Sequence, residues 1–113
     1  MENIKVDIVN NADEVIGEYI VNRLKVGSNA RRLSLNKDIL ELDISEQEKG
    51  QLLSCAALAV TVCNVDGELL YPESTAPNDI YNNLDIELFD ILCKAYIEVN
   101  PIEPTLTAKK KKS

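Results

Sequence analysis

The sequence predicts a small, mostly α domain of the α+β kind, with one or two short strands at its N-terminal end and a flexible basic tail at the other. Three observations carry that prediction. Residues 44–63 join a helix-capping signal to a wide apolar face, residues 85–100 repeat the combination, and Ile4, Val6 and Ile8 alternate with Lys5 and Asp7 at the period of a strand. With 113 residues, 45% of them apolar, the chain fits one domain over 1–100 with a single core, followed by 101–113 as the tail.

The alternation at Ile4–Ile8 ends in the polar run Asn10-Asn11-Ala12-Asp13. Two readings stand open for the next segment. Val15, Ile16, Tyr19, Ile20 and Leu24 recur at helical spacing, Asn11 and Glu14 suit a capping box, and Gly27 suits a helix stop. Against these, Gly17 interrupts the pattern and Tyr19-Ile20-Val21 is a β-prone triplet, so the helical reading has only slightly more in its favour. Gly27-Ser28-Asn29 reads as a turn. Beyond it, either Ser28 caps a short helix carrying Leu33 and Leu35, or those two leucines flank Ser34 in a brief strand.

The signals at Ser45 are stronger. Its hydroxyl is placed to accept from the Glu48 amide while the Glu48 carboxylate returns to the Ser45 amide, Ile44 sits where a hydrophobic staple belongs, and Glu46 and Glu48 face the positive helix end. Leu52, Cys55, Ala56, Ala59, Val60 and Cys63 follow the 3.6 period, and Leu53, Ala57, Leu58 and Val62 widen the face. This predicts a central helix to about Cys63, buried on most sides. Asn64–Glu68 then forms a turn with Gly67 at positive φ, Leu69-Leu70-Tyr71 an extended apolar patch closed by Pro72, and Ile80–Leu84 a short helical turn. Asp85 caps a last helix from Ile86 to about Val99, with Leu88, Phe89, Leu92, Tyr96 and Val99 on one side, and Asn100-Pro101 ends it.

Charge divides the molecule. Residues 1–108 hold all 19 acidic but only 8 of the 12 basic residues, a formal −11 that Lys109–Lys112 bring back to −7. Inside the body, Arg23–Lys37 carries five basic residues and no acid, whereas Asp38–Ala108 carries 14 acids with only Lys49 and Lys94. The expected dipolar surface serves solubility or a salt-sensitive homo-oligomer in which the basic stretch of one subunit meets the acidic face of another. A lysine tail attracts phosphates, but an acidic body with only Tyr19 ahead of its acidic region offers no specific nucleic-acid surface. No apolar run approaches the roughly 18 residues of a membrane span, and the start lacks the basic-then-apolar order of a signal peptide, so no membrane contact and a cytosolic location are expected.

The residues offer little chemistry. Without histidine there is no histidine triad. Cys55, Cys63 and Cys93 lack the spacing of a zinc site and read as core residues. Aligning Asp66-Gly67 with a calcium loop puts Val62 at its first ligand position, so no calcium site follows. Glu46, Glu48, Asp85, Glu87 and Asp90 are accounted for by helix starts, and no glycine-rich phosphate loop is present. No enzyme, cofactor or metal is therefore expected. The candidate partner-binding residues are Arg31 and Arg32, as cations, and Leu70 and Tyr71, the tyrosine for its contact area and polar handle.

Three segments in order, Gly17-Glu18-Tyr19-Ile20-Val21-Asn22-Arg23-Leu24, the central helix leading into Val65-Asp66-Gly67-Glu68-Leu69-Leu70-Tyr71, and the last helix ending Ile97-Glu98-Val99-Asn100, give residues 17–100 a resemblance to the tail assembly chaperones of long-tailed bacteriophages. Tyr71 stands where the family usually has Phe, and Asn22 where Arg is often seen. The resemblance implies a strand over Tyr19–Leu24, leading through the basic segment into a helix. It also implies a non-catalytic role in the host cytoplasm: binding and shielding the helical tape-measure protein until tail-tube protein polymerises around it, with the chaperone absent from the mature virion. Many such chaperones are also made as a longer frameshifted product, for which the adenine-rich codons of Lys109–Lys112 suit a slippery run. The competing expectations are a structural tail or head-to-tail connector protein, retained in the particle, and a small cytoplasmic regulatory module with a compact partner.

Overall fold

The computed structural model describes residues 2–110; Lys111 and Lys112, half of the lysine run, and with them the end of the expected tail, lie outside the described residues. The elements run β1 (Asn3–Val9), β2 (Val15–Asn22), α1 (Val26–Leu40), α2 (Glu46–Thr61), β3 (Val62–Cys63), α3 (Pro77–Asn83) and α4 (Ile86–Val99). This is the small, mostly helical domain with short N-terminal strands that the pattern predicts. The antiparallel sheet has the order β1-β2-β3.

The segment over Val15–Asn22 is a strand, which corrects the helical reading slightly favoured by its apolar spacing. Its start is set by Asn10 rather than by a cap at Asn11. The Asn10 side-chain oxygen accepts from the amides of Ala12 at 2.9 Å and Glu14 at 3.1 Å, folding the chain back onto β1. Opposite Ile8 and Val9 the register slips by one residue, leaving Ile16 as a bulge. Gly17 is also explained: a Cβ there would lie 3.2 Å from the ring of Tyr19, which leans back over the glycine. Ile4 faces Val21 and Val6 faces Tyr19, and all four turn one face of the hairpin into the core.

Asn64 builds a second tip on the same plan. Its side chain accepts from the amides of Asp66 at 3.0 Å and Glu68 at 3.1 Å, and the left-handed position taken by Asp13 (φ 59°) in the first tip is Gly67 (φ 86°) here. Replacing Gly67 by alanine is expected to cost about 1 kcal/mol, because an L residue strains at that φ. Gly50→Ala, at an exposed position near the start of α2 with open space around the added carbon, is expected to gain about 0.5–1 kcal/mol. Urea denaturation midpoints of the two variants should move in opposite directions.

Helix α1 spans 15 residues, so neither the short helix nor the brief strand expected around Leu33 and Leu35 is what forms. Ser28 acts from inside its first turn, where its hydroxyl oxygen accepts from the Lys25 amide at 2.9 Å. Gly27 is within this helix rather than at the end of an earlier one. Helix α2 begins as expected at Ser45, which accepts from the Glu48 amide at 3.1 Å; the Glu48 carboxylate takes the Ser45 hydroxyl at 3.2 Å instead of the backbone amide. It ends at Thr61, short of the expected Cys63, because Val62 and Cys63 pair with Val21 and Ile20 of β2.

The packing places α2 at the centre. Leu52 and every residue from Cys55 to Thr61 are buried, and α2 touches α1, α3, α4 and β2. Leu58 meets Val21, Val62, Leu92 and Ala95 in the main cluster, under the half-buried Leu88, Phe89 and Tyr96 of α4. Ile39 of α1 packs on Leu52 and Ala56 in a second cluster, and Ile80 of α3 on Cys55 and Ala59 in a third. Helix α4 is capped by Asp85, which accepts from the amides of Glu87 and Leu88. Residues 101–110 have neither helix nor strand and are exposed.

Candidate interaction surface

The four residues singled out from the sequence occupy different places. Arg31 projects from α1 and donates to the Glu73 carbonyl at 3.1 Å, tying the helix to the loop after Tyr71. Arg32, one residue on, turns back to Asn29, whose side-chain oxygen it meets at 2.8 and 3.1 Å. Leu70 donates its amide to Val62 at 2.9 Å and packs against the main core cluster. Tyr71 lies against the cluster of Cys55, Ala59 and Ile80, where burial raises its hydroxyl pKa above the ordinary value. Arg31 and the Leu70-Tyr71 segment are thus brought to one side through Glu73, while Arg32 lines a groove elsewhere. All four are half-buried.

That groove, open and of about 550 Å³, runs between α1 and the end of α4 and is lined by Arg23, Lys25, Arg32, Tyr96 and Asn100 among others. Its basic lining is already engaged. Arg23 donates to Thr105 at 3.0 Å, Lys25 pairs with Glu2, and Arg32 holds Asn29. The Lys25 ammonium keeps the Glu2 carboxyl below the usual range. Asn100 makes two bonds here: it accepts from the Leu24 amide at 2.7 Å and donates to the Asn22 carbonyl at 3.1 Å. These bonds fasten the end of α4 to the joint between β2 and α1.

Another face of α1 is exposed, beginning at Val26 on the rim of the groove. Val26, Ala30, Leu33, Lys37 and Leu40 follow a four-three-four-three spacing that keeps them on one helical stripe. Val26 is 90%, Leu33 52% and Leu40 57% exposed. The opposite side, with Leu35 and Ile39, is the one that packs on α2. Apart from Lys37, which belongs to the basic stretch, none of the stripe residues stands out as a contact residue in the sequence, although their spacing is legible once a continuous helix over 26–40 is granted.

Burial sets the state of the three cysteines. Burial lifts the Cys55 and Cys93 thiols to about 11, with the Asp90 carboxylate adding to the effect at Cys93. Cys63 is raised by burial and drawn partly back by the Asn22 amide, which donates to its sulfur at 3.1 Å. All three are free thiols, and among the described residues no group of three or more His, Cys, Asp or Glu side chains is placed to hold a metal. Among those residues, too, no helix is long and apolar enough to cross a membrane. Comparison with known proteins returned no matching family model, no matching curated protein and no matching solved structure.

Proposed function

We propose that this chain is a non-catalytic tail assembly chaperone of a long-tailed phage, acting in the host cytoplasm to shield a tape-measure protein before tail-tube protein polymerises around it. The observation that carries the proposal is the outer stripe of α1. A helical client presents apolar residues at the same three-four spacing, so an exposed stripe of Val26, Leu33 and Leu40 is the kind of face on which such a helix docks. A long client engages many copies, each weakly, and one exposed helical face on a small domain suits that mode better than a deep pocket does. The order of β2, basic segment and α1 agrees with the order the resemblance implies. Arg31 and Arg32, on the flanks of α1, remain proposed contacts for a charged client, and Leu70 and Tyr71 are proposed to support the loop that Arg31 holds.

The test is co-expression with the long helical product of the neighbouring reading frame. The client should become soluble and co-purify with this chain. Leu33→Asp, at an exposed position, should leave the circular dichroism spectrum unchanged and weaken co-purification by about tenfold, since a charge replaces a buried contact at the interface. A client that stays insoluble and unbound would reject the tape-measure assignment. Binding untouched by Leu33→Asp would move the contact away from α1. The absence of the chain from finished particles separates a chaperone from a connector, and a slippery adenine run over the codons of Lys109–Lys112 with an overlapping open frame would support a frameshifted product.

A further inference from the structure

Strand β1 is the open edge of the sheet. It has seven residues and pairs only with β2, so one row of its backbone amides and carbonyls has no ladder partner among the described residues. An edge of that length is a template for another strand unless its side chains oppose pairing. Lys5 and Asp7 are the charges on its solvent face, as the exposure alternates along the strand with Ile4, Val6 and Ile8 turned inward.

These charges select a partner rather than repel every one. Ile4-Lys5-Val6-Asp7-Ile8 reads the same in both directions except that its charge changes sign about Val6. Set antiparallel to a second copy about Val6, it places Ile4 opposite Ile8, Val6 opposite Val6, and Lys5 opposite Asp7 twice. Slipping the register by two residues in either direction keeps the faces but brings Lys5 onto Lys5 or Asp7 onto Asp7, and like charges directly opposite are destabilising. One register therefore satisfies both faces at once.

The hairpin itself shows the unmet charge. Asp7 is paired across the ladder with Glu18, two acids face to face, and among the described residues Lys5 alone serves both, at 3.5 Å from Glu18 and 3.9 Å from Asp7. A second copy in the register about Val6 brings another Lys5 to Asp7 and frees the first to pair with Glu18. We infer that β1 is a homodimer edge, joining two copies of this chain antiparallel about Val6 into one continuous sheet. The inference does not depend on the proposed chaperone role. The stripe on α1 stays available in such a dimer as a separate surface.

Sedimentation equilibrium on the full chain tests it, with Asp7→Lys and the double exchange Lys5→Asp/Asp7→Lys. Asp7→Lys is the informative single change. Within one chain it replaces an acid facing Glu18 by a base and preserves the hairpin, whereas between copies it sets two lysines opposite each other. The dimer dissociation constant should rise about tenfold or more, with the thermal midpoint of the monomer not lowered. The double exchange restores opposite charges across the twofold axis and should return the constant to near the unsubstituted value. Hydrogen exchange should show β1 amides protected in a concentration-dependent way, and Leu33→Asp should leave the dimer intact. A monomer at every concentration overturns the inference, as does association indifferent to Asp7→Lys or loss that the double exchange does not restore. Protection of β1 that appears only when a different protein is added also overturns it, and makes that protein the occupant of the edge.

Discussion

Leu58→Ala is expected to destabilise the domain by about 3–5 kcal/mol, the upper part of the range for a leucine removed from a core. Leu58 is 0% exposed and lies where α2, the sheet and α4 converge, against Val21, Val62, Leu92 and Ala95. Collapse into the vacated space is hindered because the neighbours are fixed by different elements: a strand pair on one side, α4 on another and the helix backbone itself beneath. A domain of this size has roughly 5–15 kcal/mol in total, so the substitution removes a large share of it. Thermal unfolding should show the midpoint falling by about 12 °C or more, since each kcal/mol moves it by roughly 4–8 °C. Leu69→Ala, at a 40% exposed leucine, serves as the control and should cost less than about 1 kcal/mol. A drop at Leu58 no larger than that of the control would mean that the three clusters do not form one cooperative core.

The second large effect is expected at Asn100. Its side chain supplies an acceptor to the Leu24 amide at 2.7 Å and a donor to the Asn22 carbonyl at 3.1 Å, both in a half-buried setting 76 and 78 positions away along the chain. Alanine leaves both backbone groups without that partner, for an expected cost of about 2–3 kcal/mol. Aspartate keeps the acceptor but sets an oxygen against the Asn22 carbonyl in place of the donor, so Asn100→Asp should fall between alanine and the native residue. Denaturant titration ranks the three, and hydrogen exchange at the Leu24 amide locates the effect. If that amide exchanges at the native rate in Asn100→Ala, the bond does not hold the joint. Under the proposed function the consequence reaches client binding, because the joint sets the direction in which α1 leaves the sheet and so where its outer stripe points.

Sequence reading succeeded where the signal is local. Ser45 and Asp85 announce their helices through side-chain bonds to amides two or three residues ahead, and the apolar residues of α2 exceed what one stripe needs, which leaves burial on most sides as the outcome. It failed at Val15–Asn22 because the apolar spacing there satisfies two periods. The choice between them falls to Asn10, which turns the chain, and to Ile4 and Val6, which offer a strand to pair with. The extent of α1 was missed for a related reason. Its inward side mixes Asn29, Arg32 and Asn36 with Leu35 and Ile39, while Val26, Leu33 and Leu40 look outward, so hydrophobic periodicity points away from the core. The same inversion hid the outward stripe of Val26, Leu33 and Leu40, which joins Arg31, Arg32, Leu70 and Tyr71 among the candidate contact residues.

Residue order alone was enough for the helical character, the two well-capped helices, the core packing of the cysteines and the separation of a basic stretch from an acidic remainder, since each depends on neighbours within a turn or two or on composition. The open edge at β1, the clamp from Asn100 to the β2–α1 joint and the free stripe of α1 arise between segments far apart in the chain. Their existence depends on which backbone groups and apolar faces are left over once the core around Leu58 has closed, and a remainder of that kind is a property of the packed whole.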